Sequence, residues 1–598
     1  MAEVLRIGGA AGFWGDASMA TPQLLAAGSL DFLVYDYLAE ITMAILARAR
    51  TKDRKAGYAT DFVKTAMAPN LAEIARQRVR VVSNAGGVNP RACADALRRE
   101  IATQGLSLNV AVVEGDDLLD RAEDLAGLAP RDMFSGAPFP AAEKIASINA
   151  YLGAFPVAAA LDRGADIVIT GRCVDSAVTL GACIHHFGWK SEDLDKLAGG
   201  SLAGHILECG PQATGGNFTD WKEVAEGMAR IGYPIAGVRA DGTFDVTKPA
   251  NTGGIVSRGT VSEQLLYEIG DPQAYLLPDV VCDFSGVVLT GTGPDRVHVS
   301  GARGLGVPES CKICVTWEDG YRAGHYFTFY GLDAEAKAQG FAEAALARAR
   351  KLLDAMGAPE FTHTSVELIG AESQFGALRH SGASREVAAK IAVRHPDAGA
   401  VGLFLKEAVG LGLSAPPGLS GFAGARPKPS PVLALHSSLL PKAQVEATVR
   451  DSRGVVAVEP AGSVPVRNPE LPAPPALPSA KETVEVPLIR LAWARSGDKG
   501  DIANIGVIAR QPNFMPWIWA ALDETHLRSV FGHFWDGEFE RFYLPGSQSM
   551  NILLHGALGG GGTSSLRNDP QAKGYAQLLL AAPVQVDADL MGGHDAGL

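Results

Sequence analysis

The sequence lacks the features of a membrane-spanning or secreted protein. Its 598 residues contain no run of about 18 consecutive apolar residues, so we predict no transmembrane helix. No basic segment followed by an apolar core stands at the start, so we predict no signal peptide. The seven cysteines are scattered and odd in number, which is typical of reduced thiols and not of a disulfide framework. We therefore expect a cytoplasmic protein with no membrane partner.

Basic clusters and nucleotide-binding motifs are also missing. The formal net charge is −13 and no Lys/Arg run interrupts it, so nucleic acid is not a predicted partner. Neither a Walker P-loop nor a G-x-G-x-x-G turn is present, which argues against a nucleotide-dependent enzyme. Cys311 and Cys314 form a lone CxxC motif, and without a second pair a plain strand is favoured over a zinc or redox site.

The composition is that of a large globular protein. Apolar residues make up 47% and charged residues 20% of the chain, and the length suits two to four domains. Repeated strand–turn–helix patterns predict an α/β main domain over residues 1–283, with a doubly wound and mostly parallel sheet. Residues 284–458 are expected to form a second α/β lobe. Six prolines between 465 and 478 indicate a linker over 459–482, followed by a small α+β module over 483–598.

The densest group of reactive side chains lies between residues 165 and 218. An apolar, β-branched strand is predicted over 166–170, and Arg172 and Asp175 follow it, where open α/β sheets hold their ligands. His205 and Glu208 lie near the end of a helix predicted over 202–209. A catalytic pair and a buried structural pair both fit His205 and Glu208.

Glycine-rich turns after other strands are candidates for anion binding, because exposed backbone amides at a helix start attract negative charge. A turn without a ligand is the alternative for each. Asp36 and Glu40 are four apart after the second strand, and acid–base or metal chemistry and simple helix capping both remain open for them. The residues proposed to hold substrate or anion are Gly12, Gly15, Asn84, Gly86, Gly87, Asn89, Asp116, Gly215, Gly216, Asn217, Arg258, Arg495 and Lys499.

Several long motifs resemble those of the acyclic terpene utilisation family, the AtuA-like proteins. They include GFWGD at 12–16, NAGGVNP at 84–90, DIVITGRCVDSA at 166–177, GHILECGPQATGG at 204–216 and ARSGDKGDIANIG at 494–506. The resemblance covers nearly the full length and implies a large main domain with a small C-terminal ferredoxin-like module. It also implies a role in the catabolism of citronellol- and geraniol-type compounds, whose intermediates are carried as CoA thioesters. It implies no catalytic residues.

Our hypothesis from the sequence is a lyase or hydratase that acts on a branched 3-hydroxyacyl-CoA. His205 is the expected base, with Glu208 orienting it or sharing its proton. Arg172 and the amides of Gly215 and Gly216 are expected to hold the oxyanion, and Asp175 to position water or a divalent metal. No cofactor is firmly predicted beyond CoA as the substrate carrier, and the need for a metal stays open.

Two other functions stay open at this stage. One is a hydro-lyase acting on free hydroxy acids, and the other is a non-catalytic or partner-dependent subunit of an acyl-CoA-processing complex. We expect a homo-oligomer in each case.

Overall fold

A computed structural model describes residues 3–16, 18–380, 382–421, 426–562 and 564–591. Its first half contains the following elements: β1 Val4–Gly9, α1 Ala20–Ala27, β2 Phe32–Tyr35, α2 Glu40–Lys52, α3 Leu71–Gln77, β3 Arg80–Ser83, α4 Pro90–Thr103, β4 Val110–Glu114, α5 Ala122–Gly127, β5 Ile145–Ala150, α6 Phe155–Asp162, β6 Ile167–Thr170, α7 Ala177–Phe187, α8 Leu194–Glu208, β7 Ile235–Arg239, β8 Phe244–Thr247, α9 Arg258–Leu265, β9 Tyr275–Leu276 and β10 Val281–Asp283.

The next part of the chain is richer in strands. Its elements are β11 Val288–Gly293, β12 Arg296–Ser300, β13 Arg303–Gly306, β14 Ser310–Tyr330, α10 Ala334–Ala355, β15 His363–Ile369, β16 Glu386–His395, α11 Ala398–Gly410, β17 Leu419–Ser420, β18 Ser430–Pro441, β19 Ala447–Asp451 and β20 Gly454–Val458. The C-terminal part contains β21 Thr483–Pro487, β22 Ala492–Lys499, β23 Ile502–Ala509, α12 Met515–Ala521, α13 Glu524–Phe531, β24 Phe539–Leu544, β25 Ser549–Leu554, α14 Tyr575–Leu580, β26 Pro583–Asp587 and α15 Ala588–Met591.

An eleven-stranded sheet organises the main domain, in the order β11-β12-β8-β7-β1-β2-β3-β6-β4-β19-β20. The five strands from β1 to β4 in this order are parallel, and the row Gly9, Val34, Val82, Val168 and Ala111 crosses all five in register. Every residue of β2 and β6 is buried, as expected for parallel strands covered on both faces. The expected parallel arrangement holds for these central strands, whereas both flanks are antiparallel.

Two hydrophobic cores lie on the two faces of this sheet. Phe32 and Val34 of β2 point into a core that contains α6, α7 and α8. Leu33 and Tyr35 of the same strand point into the other core, which contains α1 to α4. Since successive side chains of a strand face opposite ways, the apolar run of β2 serves both cores. The predicted α/β class with helices on both faces is confirmed.

The segment predicted as a second lobe, residues 284–458, is divided between two sheets. The hairpin β11–β12 and the hairpin β19–β20 complete the two edges of the eleven-stranded sheet. The 21-residue β14 forms the centre of a second sheet, because it pairs with β5 and β18 along its first half and with β16 along its second. The predicted boundary at residue 283 therefore does not coincide with a boundary between sheets.

The C-terminal module follows a stretch without helices or strands. Residues 459–482 contain neither kind of element, and Val464 forms an isolated bridge with Val307 of the main domain. The module has a four-stranded antiparallel sheet in the order β22-β23-β25-β24, covered by α12, α13 and α14 around its own core. A separate pair, β21–β26, joins its two ends. Within the described ranges, no helix is long and apolar enough to cross a membrane.

Candidate functional site

Four polar residues follow the carboxyl ends of four neighbouring parallel strands. Asp36 follows β2, Asn84 follows β3, Asp116 lies just beyond β4, and Arg172 lies just beyond β6. The Asn84 side-chain amide donates to Oδ1 of Asp36, and the backbone N–H of Arg172 donates to Oδ2 of Asp116 at 2.8 Å. These residues therefore meet at one edge of the sheet, the edge at which open α/β folds bind ligands.

Arg172 is the buried cation of this edge, with 2% of its surface exposed. Its Nη1 contacts Oδ1 of Asp175 at 2.5 Å, and its Cζ lies 4.1 Å from the centre of the Tyr151 ring. Burial opposes the guanidinium charge, but Asp175, Tyr151 and Glu40 outweigh burial and raise the Arg172 pKa. Oδ2 of Asp116 accepts from the Arg172 backbone and from the Asn149 side-chain amide, so Asp116 positions the arginine.

His205 and Glu208 form a buried pair at the end of α8. Nδ1 of His205 lies 2.8 Å from Oε1 of Glu208, and Nε2 lies 3.2 Å from the carbonyl oxygen of Leu265. Because a carbonyl only accepts, Nε2 carries a proton, and one further proton is shared between Nδ1 and Glu208. Burial lowers the His205 pKa, but Glu208 outweighs burial and the net direction is upward. Burial raises the Glu208 pKa, and this effect outweighs the charge and hydrogen bond of His205, which lower it.

This geometry changes the roles expected for the pair. Both ring nitrogens of His205 are engaged, and only 2% of the residue is exposed. His205 therefore has no free nitrogen for a substrate, and its effect is on the orientation and pKa of Glu208. The Glu208 carboxylate, and not the imidazole, is the group placed to accept a proton.

Asp36 and Glu40 lie near Arg172, and their pKa values are shifted in opposite directions. The helix α2 begins at Glu40, so Asp36 lies in the loop before it and the two do not share a helix face. Burial raises the Asp36 pKa well above its usual value, and the charges of Asp175 and Glu208 raise it further. Burial also acts on Glu40, but Lys312 and Arg172 outweigh it and lower the Glu40 pKa. Asp36 is therefore favoured as the neutral acid and Glu40 as the carboxylate.

Two partners of Glu40 come from distant parts of the chain. The Tyr151 hydroxyl donates to Oε1 of Glu40 at 2.6 Å, and Nζ of Lys312 lies 3.2 Å from the same oxygen. Tyr151 follows β5 and Lys312 lies in β14, two strands that pair with each other. Sequence reasoning missed both residues, since neither lies in a local motif and only the strand pairing brings them to the cleft.

The C-terminal module adds a third cation, Lys499 at the end of β22. Its Nζ donates to the backbone oxygen of Glu268 at 3.1 Å and lies 5.6 Å from the centre of the Tyr275 ring. Burial opposes the charge of Lys499, but Tyr275, Glu40 and Asp175 outweigh it and raise the pKa. The side chains of Glu40, Lys312 and Asp175 retain 32, 25 and 37% exposure, so the cleft that they line is open to solvent.

The predicted glycine cradles, by contrast, are closed by the protein itself. Four of these glycine amides donate to backbone carbonyl oxygens: Gly86 to Thr170, Gly87 to Asn84, Gly215 to Gln212 and Gly216 to Pro211. The other two donate to aspartate side chains, Gly12 to Asp16 and Gly15 to Asp61. These amides are not free to bind a phosphate or an oxyanion. A Cβ on Gly86 would lie 2.4 Å from Thr170 O, so the close packing at this position leaves no room for a side chain.

The remaining predicted anion-binding residues join the module to the main domain or cap a helix. Arg258 donates to the carbonyl oxygens of Ala509 and Ser547. Arg495 donates to Gln212 and to the carbonyl oxygens of Gly216 and Asn217. Asn89 accepts from Ala92 N at the start of α4. None of these contacts leaves the side chain directed at the cleft.

Metal ligation finds no support in the described part of the chain. No group of three or more His, Cys, Asp or Glu side chains there could hold a metal ion, so Asp175 has no companion ligands. Cys311 and Cys314 are buried free thiols on β14. Because they are three residues apart on a strand, they point to opposite faces and do not form a common ligand pair.

The fold and the cleft define a class of protein: an α/β domain whose ligand-binding edge is covered by a small α+β module. The family model described as "Acyclic terpene utilisation family protein AtuA" matches residues 5–450, and the model of the AtuA ferredoxin-like domain matches residues 486–585. The chain therefore belongs to the AtuA family of acyclic terpene utilisation, and the resemblance noted in the sequence is confirmed. Neither the curated proteins nor the solved structures contain a significant match.

Proposed function

We propose that the protein is a hydro-lyase that removes water from, or adds it to, a branched 3-hydroxy acid or its CoA thioester. The observation that carries this proposal is that two buried carboxyl groups, Asp36 and Glu208, interact electrostatically with each other, and that Arg172 also acts on Asp36. Dehydration beside a carbonyl needs a base, an acid and a cation for the developing enolate. Family membership supports a place in the breakdown of acyclic terpenes or related branched acids.

In this mechanism Glu208 is the base and Asp36 is the acid. The Glu208 carboxylate takes the proton from the carbon next to the carbonyl, while His205 holds the shared proton on Nδ1 and keeps Glu208 ionised. The electron pair of the broken C–H bond moves onto the carbonyl oxygen, where Arg172 stabilises it. The C–O bond at the third carbon then breaks, Asp36 donates its proton to the leaving hydroxyl, and water and an alkene form.

The two steps can be separated by experiment. The pure full-length protein is incubated in D2O with branched 3-hydroxyacyl-CoAs and, separately, with the matching free acids. Proton NMR follows exchange of the α-hydrogen, and ultraviolet absorbance follows formation of the conjugated alkene.

The wild type is expected to show both reactions with one of the two substrate sets. Asp36→Asn should retain α-hydrogen exchange and slow alkene formation by about 10²–10⁴-fold, because only the acid is removed. Glu208→Gln should slow both reactions. Glu226→Gln, on an exposed glutamate, is the matched control and should change neither.

Other outcomes would overturn the proposal in distinct ways. Cleavage of the carbon skeleton into two carbonyl products would identify a carbon–carbon lyase. Absence of both reactions with both substrate sets would refute the hydro-lyase and favour a partner-dependent subunit. The preferred substrate set decides between thioesters and free acids.

A further inference from the structure

The tip of the hairpin β22–β23 lies over the cleft and is held there by buried contacts. Asn504 of β23 accepts from the backbone N–H of Glu268 at 2.8 Å and donates to the carbonyl oxygen of Leu266 at 2.9 Å. Arg495 of β22 lies with its Cζ 4.5 Å from the centre of the Tyr267 ring. The module therefore clamps the segment 266–268 of the main domain, and this fixes the position of Lys499 at the hairpin tip.

Lys499 joins two other cations in the same cleft, Arg172 and Lys312. Arg172 Cζ and Lys312 Nζ lie 4.1 and 4.7 Å from the centre of the same ring, that of Tyr151. The charge of Arg172 opposes that of Lys312, and the charge of Lys312 opposes that of Lys499, although Glu40 and the other acidic groups nearby keep the pKa of each lysine raised. Like charges that share a partly desolvated cleft repel one another, and an anion placed among them removes that cost. Such a set is typical of a site that binds negative charge.

Only two carboxylates of the cleft form ion pairs with these three cations. Glu40 and Asp175 are the carboxylates paired with Lys312 and Arg172. The pair of His205 and Glu208 has no net charge in either position of its shared proton, and Asp36 is favoured as the neutral acid. The neighbouring ion pair of Lys573 and Glu268 adds no net charge. Burial raises the pKa of Asp498, on the same hairpin, to about 7, and it raises the pKa of Asp116, which accepts from the Arg172 backbone, to about 7 as well. Each therefore carries only part of a charge at neutral pH.

Arg172 and Lys499 have hydrogen-bond donors that these contacts leave unused, and such donors also favour a site for an anion. Arg172 is 2% exposed, and its Nε–H has no partner among the described residues. The ammonium group of Lys499 has three N–H donors, and the contact to Glu268 O uses one of them. A buried arginine donor without a partner is uncommon, because leaving it unpaired is unfavourable.

We infer that Lys499 of the C-terminal module, together with Arg172 and Lys312 of the main domain, binds one free carboxylate group of the substrate. The module thus supplies part of the substrate-binding site and is not only a docking surface. The inference rests on the proposed function only in naming the bound molecule as the substrate. A thioester substrate would then carry a second, free carboxylate.

Binding is tested on the full-length protein with 3-methylglutarate, which has no hydroxyl group to eliminate. Isothermal titration calorimetry gives the Kd for this diacid and for its uncharged dimethyl ester. The wild type is expected to bind the diacid and not the ester. Lys499→Met should weaken binding at least about tenfold, Lys499→Arg should largely restore it because the charge returns, and Lys481→Met in the exposed linker should have no effect.

Three results would overturn the inference: no binding of the diacid, equal binding of the ester, or an unchanged Kd in Lys499→Met. A Lys499→Met variant that failed to fold would be recognised by its circular dichroism, and Lys312→Met would then decide, because an unchanged Kd for the diacid would overturn the inference. Lys499-dependent binding of 3-methylglutarate together with no reaction of either 3-hydroxy substrate set would sink the hydro-lyase and leave this inference standing. Turnover with an unchanged KM in Lys499→Met would support the hydro-lyase and overturn this inference.

Discussion

Replacing Glu263 by glutamine is expected to stabilise the protein in alkaline solution and not in acid. Glu263 lies on α9, with 2% of its surface exposed. Its Oε1 accepts from the backbone N–H of Thr219 at 3.1 Å, and the Thr219 hydroxyl bonds Ala494 of the C-terminal module. Its Oε2 is buried without a hydrogen-bond partner in the described structure. Burial raises the Glu263 pKa to about 7.

The sign of the effect follows from proton binding. The unfolded chain has a glutamate pKa of about 4.3, so between pH 4.3 and 7 the folded state holds more protons at Glu263 than the unfolded state. The free energy of unfolding therefore falls as pH rises through this window and levels off above it. The full cost is about 4 kcal/mol, since each unit of pKa shift corresponds to about 1.4 kcal/mol.

Glutamine keeps an oxygen to accept from Thr219 and carries no charge at any pH. Glu263→Gln should therefore exceed the wild type by up to about 4 kcal/mol in unfolding free energy at pH 8 and match it near pH 4.5. Urea unfolding at both pH values measures the difference, with Glu226→Gln as an exposed control that should show no such pH dependence. A difference between Glu263→Gln and the wild type that is the same at both pH values would refute the reasoning.

Three further predictions test the site and the interface. His205→Gln should move the acid limb of the kcat/KM profile to higher pH, because His205 lowers the Glu208 pKa; an unmoved limb would remove His205 from the mechanism. Gly86→Ala should cost roughly 1–3 kcal/mol of stability without changing the Kd for 3-methylglutarate, since its Cβ would meet Thr170 O and Pro90. Gly340→Ala on the exposed face of α10 is the matched control and should stabilise by about 0.5–1 kcal/mol in the same urea titration. Asn504→Ala should destabilise by about 3 kcal/mol, because Glu268 N–H and Leu266 C=O lose a buried partner; a loss below about 0.5 kcal/mol in urea unfolding would show that the clamp is weak.

The central strands could be predicted from the sequence because their signal is local. A short apolar, β-branched run between turn residues is enough to identify a buried parallel strand. The strand predicted over 166–170 is found at Ile167–Thr170, and the second strand, expected before Asp36, is found at Phe32–Tyr35. The edge hairpins were harder to place, because nothing local in β19–β20 shows that it pairs with β4, more than 300 residues earlier.

The candidate site was only partly predictable. Arg172, Asp175 and Glu208 carried a signal, since each follows a strand or ends a helix beside glycines. The glycine turns were misleading because their composition indicates that the backbone lies close to a neighbouring group. It does not show whether that group is a ligand or another part of the protein. In this protein the amides of Gly86 and Gly216 meet backbone carbonyls, and those of Gly12 and Gly15 meet aspartates of the chain itself.

The position of Lys499 links ligand binding to the docking of the C-terminal module. Docking brings Lys499 near Lys312, whose charge opposes its own, and near Tyr275, Glu40 and Asp175, which favour its charge. Contacts of Asn504 with Glu268 and Leu266 hold the module in this position. An anion that relieves the repulsion binds the docked arrangement better than an undocked one. Because this coupling is reciprocal, the anion strengthens docking by the same free energy by which docking strengthens the binding of the anion. If Lys499 binds the substrate carboxylate as inferred, substrates that carry this group are expected to favour the docked arrangement, and neutral molecules of the same shape are not.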